Sequence, residues 1–357
     1  MQKQICVSKK AAIVGAFFTC LIIIVLNASV YLSNTKTSYQ SKASTPKSKT
    51  ALLNGNQEIF NFYAIMAQIG TVKSDNKVHT CAGTLIAPGW VLTAAHCVAE
   101  YNKLTGKYES VGKNNIHVAA PATARISNFL SFPSPEKVYI HTNYYLYDVI
   151  FPKNDIALLR MNSHPKFEKG QDLFTLSLTQ PNRNYQDGEI GIILGWGGNT
   201  RTLNLGVVPL LSPSRLAKQL AQEKIREMIA GWPNNSVSVV HGDSGGPLIV
   251  WDEKMQIYRQ IGIISYFSGN YYTTYVNLTH PDYQTWIKNT IKEGGFPLGV
   301  EKSFTYKGMG SFVGYVGRKV DSSILDNYYS HICDTAVWGE NLPSVCPIDK
   351  PTQTPTK

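Results

Sequence analysis

Charge is scarce in this chain: 16% of its 357 residues are Asp, Glu, Lys or Arg, against 43% that are hydrophobic. That balance excludes a wholly disordered polypeptide, and the length allows two compact units or one large two-lobed one. Acidic residues are missing from the first 50 positions, which hold seven lysines, Lys3, Lys9, Lys10, Lys36, Lys42, Lys47 and Lys49. The remainder carries 27 basic and 24 acidic residues, only +3 of the formal +10. It has no Lys/Arg-rich stripe, so a nucleic-acid partner is not expected. Zinc spacing is missing among the cysteines, and His79, His117, His141, His164, His280 and His331 are not paired at metal-ligand spacing. No metal centre is expected. Internal repeats are also absent.

What is present in quantity is turn formers and tyrosine: 28 Gly, 18 Pro and 20 Tyr. This favours a turn-rich β protein over a helical bundle.

The basic start precedes an uncharged apolar run, AAIVGAFFTCLIIIVLNASVYL at 11–32. At about 1.5 Å per residue it is long enough to cross a hydrocarbon core about 30 Å thick. It reads either as a signal peptide or as an uncleaved signal anchor; Leu26, two before Ala28, spoils a small-residue cleavage site. Both readings export everything after residue 32 and leave oligomeric state undetermined. Cys6 and Cys20 lie in this segment, which leaves Cys81, Cys97, Cys333 and Cys346 for two disulfides in an oxidising space. Cys81 and Cys97 are 16 positions apart, and cross-linking such a loop gains about 3 kcal/mol in the entropy model.

Residues 33–51 are polar and aperiodic, as in a linker or propeptide. From about 52 to 280 the chain alternates short apolar runs with turn signals: YAIMAQI, TLIAPGWVLTAA, IALLRM, IGIILGWG, PLIVW, QIGIISY and TYVNL. These predict strands of barrels or a sandwich. Two stretches have helical periodicity. One runs through Leu216, Leu220, Ile225, Met228 and Ile229; the other carries Tyr283, Trp286, Ile287 and Ile291 on one face behind Pro281. After Gly294 a glycine- and tyrosine-rich extension, 295–357, begins, ending in PTQTPTK, which is expected to be disordered.

The stretch VVHGDSGGPLIV at 239–250 sets Ser244 among glycines. A serine hydroxyl attacks only when a base takes its proton, a carboxylate holds that base in one tautomer, and donors await the oxyanion. His96, in GWVLTAAHC, follows a buried-looking strand and precedes a cysteine able to pin it. Asp155, in NDIALLR, immediately precedes an apolar strand. The backbone N–H groups of Gly242 and Ser244 supply the donors. Taken singly, each has a plain structural explanation: a core histidine, a turn aspartate, an ordinary glycine turn.

Their conjunction and order, AAHC then NDIALL then GDSGGPL, closely resemble the trypsin-like (chymotrypsin-fold) serine peptidase family over roughly 52–294. Gly195-Trp196-Gly197 and the closing TYVNLTHPDYQTWI segment add to the resemblance. It implies an all-β fold, two six-stranded antiparallel β-barrels with the site in the crevice between them, and a C-terminal helix. It also implies His96 as general base and acid, Asp155 as its orienter, Ser244 as nucleophile, and Ser265 beside Asp155 on the strand that pairs with substrate. No cofactor or metal is required, and the partners are protein or peptide substrates.

Departures from the family are specific. Members release an Ile or Val N-terminus that pairs with the aspartate before the nucleophile, here Asp243; the best counterpart is Leu52, after a cut following Ala51. The alternative is an enzyme active without this switch. At the pocket floor, where trypsin-type members carry aspartate, stands Ser238, and the walls would be Tyr266, Phe267 and about Thr273. The cysteine bridge that flanks this pocket in the family has no counterpart. A shallow pocket for a small uncharged side chain is therefore expected rather than one for Arg or Lys. His241 lies at the pocket rim, where it either touches substrate or is merely exposed. Cys333 and Cys346 would close a small loop in the extension. The leading expectation is an exported serine endopeptidase. The rivals are a silent binding protein on the same fold, contacting a partner or surface through its extension, and an esterase using the same three residues.

Overall fold

The computed structural model describes residues 56–57, 62, 65–120, 122, 127–146, 152–162, 175–199, 202–216, 228–231, 239–267 and 273–295, with backbone alone at 56, 57, 199, 266 and 267. The chain divides into units Met1–Ser48 and Lys49–Lys357, and every described residue lies in the second. The expected export segment, Leu52, Ser238, Cys333, Cys346 and the extension beyond 295 lie outside the described residues. Among the described residues no helix is long and apolar enough to cross a membrane.

The first half supplies β1 (Asn56–Gln57), β2 (Met66–Val72), β3 (Val78–Ala87), β4 (Trp90–Thr93), β5 (Ala99–Asn102), β6 (Lys107–Ser110), β7 (Ile116–Ala119), β8 (Lys137–Ile140) and β9 (Ala157–Arg160). The second supplies β10 (Ser177–Leu178), β11 (Ile190–Gly195), β12 (Asn204–Leu211), β13 (Met228–Gly231), β14 (Pro247–Asp252), β15 (Ile257–Phe267), β16 (Thr273–Asn277) and the helix α1 (Pro281–Gly294).

Six antiparallel strands form the first sheet in the order β7-β2-β3-β4-β9-β8, with β5 and β6 a separate hairpin. The apolar run that reads as one strand in the sequence, TLIAPGWVLTAA, is folded back at Pro88-Gly89, with Ala87 paired to Trp90. Proline presets the first corner of such a turn, and Gly89 takes the positive φ, 71°, that the second corner needs. All of β4 is buried, so the strand that delivers the chain to His96 is anchored along its length.

In the second sheet the order is β1-β12-β11-β14-β15-β16-β13, and β13 returns to pair with β12. Six antiparallel strands thus close into a barrel. Two-residue strands decorate it: β1 alongside β12, and β10, which runs parallel to β15. The two barrel-like sheets and the C-terminal helix agree with the sequence expectation.

One expectation is corrected. The periodicity through Leu216, Leu220, Ile225, Met228 and Ile229 predicts a helix; Pro213–Leu216 is helical and residues 217–227 lie outside the described residues, but Met228–Gly231 is a strand. That strand ladders to β16 on one side and β12 on the other. Closing the barrel satisfies backbone groups that a helix end would leave open, and tertiary pairing overrides the local period.

The helix α1 forms as its sequence predicts. The His280 imidazole accepts a hydrogen bond from the Asp282 amide (3.2 Å), and Pro281 occupies the first turn. Tyr283, Ile287 and Ile291 recur every four residues and are buried in the same apolar cluster as Leu92, Val91 and Leu158 of the first sheet. The Trp90 indole donates to the Gly295 carbonyl (2.9 Å). The last described element thus locks onto the first barrel. Ile287, fully buried, is the centre of that contact; Ile287→Ala is expected to cost about 2–5 kcal/mol, measured by urea unfolding in a Ser244→Ala background.

Candidate active site

His96 sits in a single turn of 3-10 helix, Ala95–Cys97, directly after β4. The turn is tied to β3 by the Cys81–Cys97 disulfide. Asp155 precedes β9, which is the neighbour of β4 in the sheet. It is placed by Asn154, which takes a left-handed φ of 53° that asparagine tolerates. The Asn154 amide is itself fixed, donating to the Asn143 carbonyl (2.9 Å) and accepting from the Tyr283 hydroxyl (3.1 Å).

The Asp155 carboxylate is fully buried and takes three hydrogen bonds. Its Oδ1 accepts from the His96 backbone amide (2.8 Å), and its Oδ2 lies 2.7 Å from His96 Nδ1 and accepts from the Ser265 hydroxyl (2.6 Å). Burial alone would push this carboxyl up, but the adjoining His96 imidazole and the hydrogen bonds outweigh it and hold Asp155 below the usual carboxylate range. A charged carboxylate can only accept, so Nδ1 carries a proton, and in the neutral ring the lone pair lies on Nε2. Ser265 reaches Asp155 from the other barrel. The β15–β16 register shifts between Ile264 and Tyr266, and such a bulge re-aims the side chain at its centre.

Ser244 opens the loop before β14. Its carbonyl accepts from the Ala82 amide of the first sheet (2.7 Å), which draws the two barrels together at this point. Cys97 Sγ lies 3.8 Å from His96 Nε2 and 3.7 Å from the Ser244 carbonyl oxygen. As a disulfide sulfur it has no proton to donate, so these are packing contacts that set the two residues against a common neighbour. The loop closes on itself through Asp243 N to Val240 O (3.1 Å) and Gly246 N to Asp243 O (2.9 Å), and is tied to β15 through Gly245 N to Ile264 O (2.8 Å). Among the described residues no hydrogen bond uses the amides of Gly242 and Ser244. Gly242 adopts φ 103° and Gly245 φ 80°, conformations that disfavour side chains. A Cβ on Gly245 would also drive into the Ala82 carbonyl and Thr93 Oγ1. His96, Asp155, Ser265 and the Gly242–Ser244 turn are therefore assembled at the junction of the sheets.

The remaining predicted residues are placed less fully. His241 is exposed, and its carbonyl accepts from the Gly198 amide (3.3 Å). Thr273 is buried at the start of β16, opposite Phe267. For Tyr266 and Phe267 the backbone is in β15 and the side chains lie outside the description, as do Ser238 and Leu52.

The sequence reading missed how Asp243 is housed. Its carboxylate is fully buried and accepts from the Gly197 amide (2.7 Å) and the Val240 amide (3.0 Å). A Cβ on Gly195 or Gly197 would collide with it, so the GWG motif is the cradle for this carboxyl. Among the described residues no cation pairs with it. Burial pushes its pKa up to about 7, against the pull of the two amides.

The architecture and this geometry define a two-barrel β protein of the chymotrypsin fold. A solved structure of "HL collagenase" superposes with a TM-score of 0.51 at 23% identity, over 67% of this chain and 98% of that one. A family model described as Trypsin matches residues 62–287. Chymase of Canis lupus familiaris is 25% identical over 235 residues, 64% of this chain and 85% of that protein. Granzyme F of Mus musculus is 27% identical over 239 residues, 64% and 86%. Glandular kallikrein-10 of Rattus norvegicus is 29% identical over 229 residues, 60% and 82%. The chain belongs to the trypsin family: it is a trypsin-like serine peptidase, a hydrolase whose substrates are proteins.

The buried Asp243 has a measurable consequence. Its folded pKa lies above its unfolded one, so the folded state binds more protons between about pH 4 and 7, and stability falls as pH rises through that window. The full effect is on the order of 4 kcal/mol. In urea unfolding of the Ser244→Ala protein with its N-terminal segment uncut, Asp243→Asn should abolish this slope. An unchanged slope would show that the carboxyl is compensated.

Proposed function

We propose that the chain is an exported serine endopeptidase in which Ser244 attacks the scissile carbonyl, His96 relays the proton and Asp155 orients His96. The observation that carries this reading is the buried Asp155 carboxylate, hydrogen-bonded to His96 Nδ1 at 2.7 Å and to the Ser265 hydroxyl at 2.6 Å. With Nδ1–H committed to Asp155, Nε2 is the basic nitrogen. It takes the Ser244 proton as the acyl bond forms, and returns it to the leaving amine as the peptide bond breaks. The imidazolium formed between these steps is stabilised by the adjacent carboxylate. The unengaged amides of Gly242 and Ser244 receive the negative charge that develops on the carbonyl oxygen; one such donor typically contributes about 2.7–4 kcal/mol to the barrier. Water then resolves the acyl-enzyme by the same proton route.

Residues 52–294 form the peptidase unit in this reading, preceded by an export segment at 1–32 and a linker at 33–51, and followed by an extension. The peptidase faces the non-cytoplasmic side, secreted where the apolar N-terminal segment is cleaved and membrane-anchored through that segment where it is not. Ser238 at the pocket floor, with Phe267 and Thr273 as walls, selects small uncharged side chains, because a serine, unlike the aspartate of trypsin-type members, has no charge to neutralise a buried Arg or Lys. Cutting before Leu52 gives Asp243 an ammonium partner that the described residues do not supply.

Three measurements test this. A fluorophosphonate probe should label Ser244, and labelling should vanish in Ser244→Ala and fall by a factor of about 10³ or more in His96→Ala; full labelling of Ser244→Ala would overturn the assignment. A peptide library should show cleavage after Ala or Val in preference to Arg, Lys or Phe, and strong selection of any of those three would refute the shallow pocket. N-terminal sequencing of active material should begin at Leu52; residues 33–51 still attached would remove the activation step.

A further inference from the structure

His96 is gripped from a side that the family resemblance does not mention. The turn between β2 and β3 folds tightly, with Asn76 N donating to Lys73 O (2.8 Å) and Asn76 at φ 57°. It leans over the segment that follows β4. The Lys73 ammonium donates to the His96 carbonyl oxygen at 2.9 Å. Ser74, next in the turn, donates its amide (3.2 and 3.1 Å) and hydroxyl (3.0 Å) to the Glu100 carboxylate on β5. Two consecutive residues thus strap the turn to positions 96 and 100, on either side of the disulfide at Cys97. With Asp155 holding the His96 amide and Nδ1, the residue is fixed at its N–H, its ring and its carbonyl.

We propose that Lys73 is a positioning residue for His96, which fixes the carbonyl of the base and sets, through its charge, the pH range in which the base works. This rests on the assignment of His96 as general base. When His96 takes the Ser244 proton, a cationic ring forms on the residue whose carbonyl oxygen already binds a half-buried ammonium. A like charge opposes that step at low pH and keeps the lone pair available further into the acid range. Among the described residues, the charged groups acting on Lys73 are Glu100, Asp75 and Asp155. Asp155, on the loop before β9, favours the cationic ring. Glu100 on β5 and Asp75 in the turn face Lys73 and offset part of its charge, and Asp75 is shared with His79 of β3 (3.1 Å) and neighbours Lys77. Burial lowers the Lys73 pKa while these carboxylates oppose the shift.

The test needs no natural substrate. The second-order rate of labelling by a fluorophosphonate is measured against pH for the full-length protein and for Lys73→Met, Lys73→Arg and Glu100→Gln, with thermal melts to confirm folding. In Lys73→Met the acid limb should move to higher pH by about half a unit, cutting the rate on that limb about threefold while the alkaline plateau stays close to the parent value. Lys73→Arg should restore the parent limb. Glu100→Gln removes an anion and should move the limb the other way, by less because Glu100 faces water. A strut without electrostatic influence would scale the whole profile and shift no limb; that result overturns the proposal. If Lys73→Met does not fold, Glu100→Gln decides alone, a shift to lower pH supporting the proposal and a fixed limb refuting it. Failure of the parent protein to label would instead remove the His96 assignment and this inference with it.

Discussion

The structure turns on one buried carboxylate. Asp155 has no water contact, and a bare carboxylate in that position would be expensive. It is tolerated because donors from both barrels converge on it: the amide and ring of His96 from the first and the Ser265 hydroxyl from the second. The same contacts that neutralise the cost of burial define the tautomer of His96 and the seam between the sheets. Folding and chemistry share an interaction, so neither barrel alone presents the site.

Around that anchor, the fold removes freedom from each participant separately. The disulfide and the Lys73 contact hold the turn carrying His96. The Ala82 amide holds the Ser244 carbonyl, and hydrogen bonds use every amide of the 243–246 turn except that of Ser244. The result is preorganisation, in which donors and base are positioned before a substrate arrives. Asp243 shows the opposite situation. Its carboxyl has a fitted cradle with two amides but no described countercharge, which is why its protonation responds to pH near neutrality.

Much of this was legible in the sequence, and the parts that were not have physical reasons. Strands β2, β9, β11, β14, β15 and β16 each lie in an apolar run bounded by turns, β3 and β4 share one run that folds back at Pro88-Gly89, and His96, Asp155, Ser244 and Ser265 each stand at the end of a run or within it. The helix α1 was readable from its Pro281 and its apolar stripe. By contrast, β13 carries a helical pattern because Met228 and Ile229 are both buried, and only its two ladder partners reveal it as a strand. The β5–β6 hairpin is polar and exposed over most of its length, so alternation gave no signal. Lys73 was invisible for a different reason: a lysine in a polar turn looks like any solvated charge, and its contact spans 23 positions. The glycines that house Asp243 were visible as a motif, but their purpose needed the third dimension.

The most direct test of the account is the state of the His96–Asp155 hydrogen bond in solution. Proton NMR of the protein labelled with ¹⁵N-histidine should show one far-downfield, exchange-protected Nδ1–H belonging to His96, lost in Asp155→Asn and perturbed in Ser265→Ala. If the signal is absent in the parent protein, or survives unchanged in Asp155→Asn, then the buried carboxylate does not hold the base, and the account built on it fails.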